Sequence, residues 1–597
     1  MHFRTIQRDG PARIGECKFK NTNIQTPNIF YIHTDRFHSP RFADVLITNG
    51  KKHKEKPTLQ VSNRLLYAKD LPKELHRSRM KNDKKEHNEY HVLVGNNEII
   101  DEAVNKNPAS LFIVAYAYQL FQQPKKFVEF IVELREKIGY QKLIHLPGVA
   151  DPSSLALLAY MGIDFFDSLS AIRSARAHTL LFPTGSYDKN NLRELSCSCP
   201  ACTKVKVHPS ELEFQEILHH NYFALSDEIK NVRNAIARGN LRELVEARVR
   251  VSPALTAILR NLDTDHPAYL EERTPVTRKA SLLATTKEAL SRPEVVRFQE
   301  RVITRYRKPQ SAHVLLLLPC SAKKPYSFSK SHHFYQEEVY ASKNPHVIHE
   351  LMITSPLGIV PRELELVYPA SQYDIPVTGV WDEDEKHMIR RLLTAYLKNN
   401  TYEQIIVHLP PETTAFIQDL LKKPHITCKD FPLSNDALQN LSTQLKTSVA
   451  SYEKVDRQTR IRENVQALAS YQFDKMMAER LLSSAKIQGK YPYQKIWSNN
   501  VQRGMVTKER GLISLTMHGA ELLGKTGSYW VKIYDDFVLQ GSVFAPGIQD
   551  ADNLVRIGDE VIILQKNKPV AVGVAQMNGV EMKTATHGEA VKVRHKR

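Results

Sequence analysis

His313-Val314-Leu315-Leu316-Leu317-Leu318-Pro319-Cys320-Ser321-Ala322-Lys323-Lys324-Pro325-Tyr326-Ser327-Phe328-Ser329-Lys330-Ser331-His332 reads as a buried strand running into a chemically dense loop. The apolar run from Val314 to Leu318 has the length and composition of a sheet strand. Open α/β sheets carry their chemistry in the loops at the carboxyl ends of strands, so a thiol, amines, hydroxyls and an imidazole directly after such a strand mark a candidate catalytic loop.

Working outward, strand-like runs alternate with helical stretches. Before the quoted segment lie Asp44 to Thr48, His91 to Gly95, Lys142 to Leu146 and Gly162 to Phe166, with a helical pattern over Ser153 to Met161. After it come Leu351 to Thr354, the helical Glu383 to Lys398 and Gln404 to Leu409. Such alternation predicts parallel α/β architecture. From Gly511 onward short β-rich runs separated by turn residues predict a small β barrel: Tyr529 to Tyr534, Gly541 to Phe544, Glu560 to Leu564 and Val570 to Val574. The expected division is an α/β multidomain chain: a barrel with a zinc-binding subdomain over 1–290, an α/β catalytic domain over 291–435, a connecting α+β domain over 436–520 and the β barrel over 521–597. The basic end Lys592-Val593-Arg594-His595-Lys596-Arg597 reads as a solvated tail.

The chain has 597 residues, too many for one core. Its 83 Lys and Arg against 65 Asp and Glu leave a net charge of +18, which points to an anionic partner. No apolar run approaches the roughly 20 residues that span a bilayer, which favours nucleic acid over membrane. Met1-His2-Phe3-Arg4-Thr5 lacks the apolar stretch of a secretory signal, so a cytoplasmic location is expected and the six cysteines call for a role other than disulfides.

Cys197-Ser198-Cys199-Pro200-Ala201-Cys202 places three thiols within six residues, ahead of His219 and His220. Three thiolates and one imidazole satisfy the tetrahedral preference of Zn²⁺ and leave no open position, which predicts a structural ion. Together with Leu218-His219-His220-Asn221, Ile229-Lys230-Asn231-Val232-Arg233 and Gly239-Asn240-Leu241-Arg242-Glu243-Leu244, this segment resembles the zinc-binding end of tRNA-guanine transglycosylases. The resemblance implies Cys197, Cys199, Cys202 and His220 as ligands and a (β/α)₈ TIM-barrel fold. Gly162-Ile163-Asp164-Phe165-Phe166-Asp167-Ser168 resembles that family's catalytic segment, with Asp167 at the nucleophile position. A structural carboxylate that caps a helix is the other reading of Asp167. The family's Asp-Ser-Gly-Gly-Phe-Gln segment has no counterpart between residues 40 and 140, which counts against base exchange.

Gly541-Ser542-Val543-Phe544-Ala545-Pro546-Gly547, Val555-Arg556-Ile557-Gly558-Asp559-Glu560-Val561 and Val572-Gly573-Val574-Ala575 resemble a PUA domain, a β barrel found on RNA-modifying enzymes. The spacing Pro319-Cys320, three residues, Lys324-Pro325-Tyr326, two residues, Ser329, two residues, His332 resembles the signature of archaeosine synthases, relatives of the transglycosylases. That resemblance implies amidation of the nitrile of 7-cyano-7-deazaguanine at position 15 of the D-arm of archaeal tRNA, with lysine or glutamine as amine donor. If a whole lysine is added, it implies a separate radical-SAM partner, because the chain has no Cys-x₃-Cys-x₂-Cys cluster. The transglycosylase likeness implies a homodimer.

The residue types suit a nitrile. Cys320 is a candidate nucleophile whose thiolate the neighbouring lysines would favour. Lys324 is a candidate for lowering the thiol pKa or donating a proton, His332 for acid/base work, and Tyr326 for stacking on the base or orienting the lysine; Ser329 completes the motif. The opposing reading makes Cys320 a buried strand-end residue. Two other functions stay open: a transglycosylase exchanging guanine for a deazaguanine, and a non-catalytic subunit that presents tRNA.

Overall fold

The computed structural model describes residues 2–19, 22–48, 53, 56–60, 90–94, 108–204, 208–377, 379–524 and 527–597. It contains two compact units, residues 1–274 with 584–588 and residues 275–583 with 589–597. No helix among the described residues is long and apolar enough to cross a membrane.

In the first unit, β1 (His2–Asp9), β2 (Ala12–Phe19) and β3 (Thr22–Thr26) form an antiparallel sheet. Seven parallel strands follow: β4 (Asn28–Ile32), β5 (Val45–Thr48), β6 (Thr58–Gln60), β7 (Tyr90–Val94), β8 (Leu111–Ala115), β9 (Leu143–Leu146) and β10 (Phe165–Asp167). Their order is β6-β5-β4-β10-β9-β8-β7, so strands adjacent in sequence lie side by side and the first and last, β4 and β10, pair with each other. That is barrel order. Among the described residues the curled sheet is open between β6 and β7 and has seven strands where eight were expected. Every residue of β4, β5, β8 and β9 is buried, because helices cover the outside of a parallel sheet while side chains fill the inside. The predicted strand at 162–166 begins later, at Phe165: Gly162 takes a φ of 93° at a turn, and Asp164 turns inward to the guanidiniums of Arg13 and Arg135, both at 2.8 Å. Gly95, the end of another predicted strand, lies outside the described residues.

After the hairpin of β11 (Thr179–Phe182) and β12 (Gly185–Asp188) in the first unit, the second unit is built on β13 (Leu282–Leu283), which pairs with β17 (Tyr373–Asp374), and on a five-stranded sheet. The sheet comprises β14 (Val314–Pro319), β15 (Ile348–Thr354), β16 (Gly358–Pro361), β18 (Gln404–Val407) and β19 (His425–Ile426), in the order β16-β15-β14-β18-β19. β14 is central and parallel to both β15 and β18, which explains its unbroken apolar run. The chain leaves β14 toward β15 through the helix Lys330–Ala341 and later reaches β18, on the other side, through the helix Glu383–Asn399. The strand order therefore reverses at the carboxyl end of β14, a topological switch point.

Three helices, Asn435–Val449, Arg457–Gln472 and Lys475–Leu482, precede a four-stranded antiparallel sheet over 486–515, the mixed α+β content expected there. The C-terminal near-barrel has six strands. Its last strand, Glu589–Lys596, runs through the basic end, whose Lys592, His595, Lys596 and Arg597 are exposed as expected of a solvated segment. Ala590 and Val591 are buried, and Arg594 pairs with the fully buried Glu560, which Arg510 also holds at 2.8 Å. Within this segment it is Arg594 that neutralises the buried carboxylate.

Candidate active site and metal centre

Cys320 follows β14 directly and lines a cavity of about 720 Å³. The walls come from the carboxyl ends of three adjacent parallel strands: Pro319 ending β14, Ile353 and Ser355 at β15, and Leu409 and Pro410 after β18. Topology alone thus brings the thiol to the place where an open sheet splits. Trp381 forms part of the wall; its indole N–H donates to the Thr413 hydroxyl at 3.0 Å and its ring packs edge-on against Phe416 at 5.8 Å.

Behind the thiol lies a hydroxyl chain. Tyr326 and Tyr373 share a hydrogen bond of 2.6 Å, Tyr373 and Thr354 one of 2.5 Å, and the Thr354 hydroxyl engages Cys320. The Lys324 amine sits 4.0 Å above the Tyr373 ring, a cation–π placement that holds it in the loop. Burial pushes the Cys320 thiol up, opposed by Thr354 and Lys324, and burial pushes Lys324 down, opposed by Cys320 and Asp374. The Lys324 charge favours the thiolate, as expected, but burial works against it. Desolvation outweighs the neighbouring charge, so both partners are biased toward their neutral forms.

The rest of the motif builds the loop. Tyr326 is fully buried, beneath Tyr373 rather than in the cavity. Ser329 caps the helix Lys330–Ala341 by accepting the His332 amide at 3.3 Å. His332, also fully buried, has one ring nitrogen 3.1 Å from the Pro319 carbonyl and the other accepting from Arg362 at 2.9 Å. Burial and the Arg362 charge lower its pKa to about 2, so it stays neutral at physiological pH.

Four supporting residues had escaped the motif. Arg362 also binds Glu350 and Glu365, and Glu365 accepts from the Ser327 amide at 2.9 Å, the Ser327 hydroxyl at 2.5 Å and the Tyr491 hydroxyl at 2.5 Å. Thr354 and Tyr373 complete the set. Only Thr354 had a visible signal, its place at the end of an apolar run; the others lie far from the motif in sequence and had none.

Asp167 closes β10 in the first unit with no solvent exposure. One carboxylate oxygen accepts the amides of Gly148 and Leu169, each at 3.0 Å, and the other lies 3.6 Å from the Nε2 of the fully buried His145. These contacts tie the strand end to the loop 147–152 and to the next helix.

Cys197, Cys199, Cys202 and His220 bring their ligand atoms within 4.8 Å of one another. His220 projects inward from the helix Phe214–Arg238, whereas His219 points to solvent. The His220 Nε2 donates to the Leu181 carbonyl at 3.0 Å, which leaves Nδ1, the nitrogen facing the sulfurs, with its lone pair free to ligate. The donor set and the fixed tautomer fit a tetrahedral metal ion.

Three family models match the chain: Queuine tRNA-ribosyltransferase over residues 97–254, a domain of unknown function over 295–445 and the PUA domain over 535–597. The archaeosine synthase subunit alpha of Methanosarcina acetivorans is 38% identical, the match covering 82% of this chain and 80% of that one. The archaeosine synthase of Haloferax volcanii is 36% identical over 82% of each. The tRNA-guanine(15) transglycosylase of Methanobrevibacter smithii is 28% identical, over 79% of this chain and 69% of that one.

Proposed function

The chain belongs to the archaeosine synthase family, and we propose that it adds an amino-acid-derived amino group, from lysine or glutamine, to the nitrile of 7-cyano-7-deazaguanine at position 15 of the tRNA D-arm. The family places it among enzymes of archaeosine biosynthesis that act on tRNA, and the PUA match supports RNA binding. The observation that carries the finer reading is Cys320, set at the switch point of a parallel sheet, in a cavity wide enough for a base and a small amine, beside a lysine.

In this mechanism the flipped base enters the cavity and stacks on Trp381. The Cys320 sulfur adds to the nitrile carbon while Lys324 accepts the thiol proton and passes it to the nitrile nitrogen, giving a thioimidate. The donor amine then adds to the same carbon, the thiol leaves with its proton restored, and an amidine remains. No oxidant or reductant enters. Burial prepares Lys324 for this exchange, since a depressed amine can take a proton and return it. Neutral His332 and the Arg362–Glu365 pair keep the loop in place.

The transglycosylase alternative would need Asp167 as an attacking group, and its buried carboxylate is already engaged by two amides. Zinc is the ion proposed for the cysteine–histidine cluster, where it would tie the segment 197–202 to the helix Phe214–Arg238. Cys202→Ser is expected to drop the zinc content from one ion per chain to nearly none and to lower the melting temperature, read by elemental analysis and calorimetry. Unchanged metal content would remove Cys202 from the ligand set.

The deciding experiment is nucleoside mass spectrometry of tRNA carrying 7-cyano-7-deazaguanine after incubation with the protein and single amino acids. A mass gain of a whole lysine is expected if a partner completes the reaction, as the "subunit alpha" in a relative's name supports. A gain of one ammonia would mean direct amidination. No gain with any donor would end the amidation reading.

A further inference from the structure

The helix Glu383–Asn399 joins the cavity to a second concavity. Its start lines the Cys320 cavity through Asp382 and Glu385. Farther along, His387, Arg391, Thr394 and Lys398 recur at intervals of four, three and four residues, so they share one face. Met388, Leu392, Leu393 and Tyr396 are buried on the opposite face. The exposed face borders a groove of about 370 Å³ whose far wall includes Leu420.

Among the described residues no carboxylate lines this groove. Arg390 braces it, its guanidinium held by Asp419 at 2.6 and 2.7 Å and by the Phe416 carbonyl. The acidic residues at the helix start are engaged elsewhere, Glu383 by Lys386 at 2.8 Å and Asp384 by Lys287 at 2.7 Å. Lys422 and Lys423, both exposed, follow Leu420 directly after one residue. Complementing the helix dipole accounts for Lys398 in the last turn, but not for His387 and Arg391 in the middle of the helix. From His387 to Lys398 the stripe runs about 16 Å, at about 1.5 Å per residue, which is room for more than one phosphate.

We propose that this groove binds the phosphodiester backbone of the RNA whose base enters the Cys320 cavity. The inference rests on the tRNA reading above and adds a contact that the PUA domain does not supply: an anion track on the catalytic sheet's own helix. Charge complementarity favours RNA, since the track is cationic on a chain of net charge +18. Arg391 and Lys398 hold register along the backbone, and the cavity reads the base.

The test is tRNA affinity against salt for the full chain and for Arg391→Gln/Lys398→Gln. Two lost phosphate contacts should make the slope of log K against log salt shallower by about 1.4 to 1.8. The charge-preserving Arg391→Lys/Lys398→Arg should keep the wild-type slope. Equal slopes for wild type and the glutamine variant would overturn the proposal and turn attention to an acidic protein surface as the occupant. A fall in both variants would overturn it as well, since shape rather than charge would then matter. If the wild-type chain bound no tRNA, the functional reading itself would fail, a result distinct from either of these.

Discussion

Cys320→Ala is expected to lower the rate of nitrile amidation by on the order of 10⁴-fold or more, the scale on which enzymes lose activity with their covalent nucleophile. The binding of tRNA should be unchanged, because the thiol contributes almost nothing to contact area. Lys324→Gln should cost less, about 10² to 10⁴-fold, the range for one proton-transfer group. The measurement is single-turnover product formation with intact-mass analysis of the protein. Wild type should show a transient mass gain equal to the modified tRNA nucleotide chain or its nuclease-trimmed base adduct, and Cys320→Ala none. Full activity in Cys320→Ala would remove the thioimidate from the mechanism.

The same site predicts a pH profile. Burial raises the Cys320 thiol above its ordinary value, so the reactive sulfur becomes more available as pH rises through the neutral and mildly alkaline range. The depressed Lys324 works in the same sense, since more of it is free to take the proton at a given pH. His332, lowered to about 2, contributes no step near pH 6.5. The rate should therefore climb from pH 6 toward 9 without a histidine limb; a step near 6.5 that disappears in His332→Gln would show that the ring titrates in the working enzyme.

Asp164→Asn is expected to destabilise the first unit by about 3 to 5 kcal/mol, the penalty for breaking a buried ion pair from one side. Asp164 is 2% exposed and receives Arg13 at 2.8 and 3.0 Å, Arg135 at 2.8 Å and the Ile144 amide at 2.9 Å. Asparagine keeps the shape but leaves two guanidiniums buried beside backbone carbonyls alone. Burial would raise the Asp164 carboxyl, but Arg13, Arg135 and the amide outweigh it and hold it below the ordinary value. A depressed carboxyl stabilises the fold above its unfolded pKa, near about 3.9, and that contribution fades as pH falls through the folded value. The gap in denaturation midpoint between wild type and variant should thus be full at neutral pH and shrink in acid. A gap independent of pH would assign the loss to packing.

The two halves of the chain differ in how much of this was legible. The candidate metal cluster could be read almost whole, because three reduced cysteines within six residues have few other uses and the family resemblance chose His220 over His219. The run Val314 to Leu318 announced a central strand, and Cys320 after its end announced the candidate site. The basic end reads as solvated and most of it is exposed; only the role of Arg594 was illegible, because its partner Glu560 lies more than thirty residues away and a charge run carries no mark of what it neutralises.

Sequence by itself determined the elements and the candidates for chemistry: strand runs from side-chain composition, a candidate metal cluster from cysteine spacing, and a candidate nucleophile from its place after a strand, all of them local properties of neighbouring residues. Tertiary structure alone decided which of those groups face the cavity. It set Lys324 over Tyr373, made His332 and Ser329 contacts within the loop, and desolvated Cys320 enough to oppose the lysine charge that favours its thiolate. Burial and long-range pairing sum over atoms from distant parts of the chain, so the balance between desolvation and charge exists only once the sheet has brought those parts together.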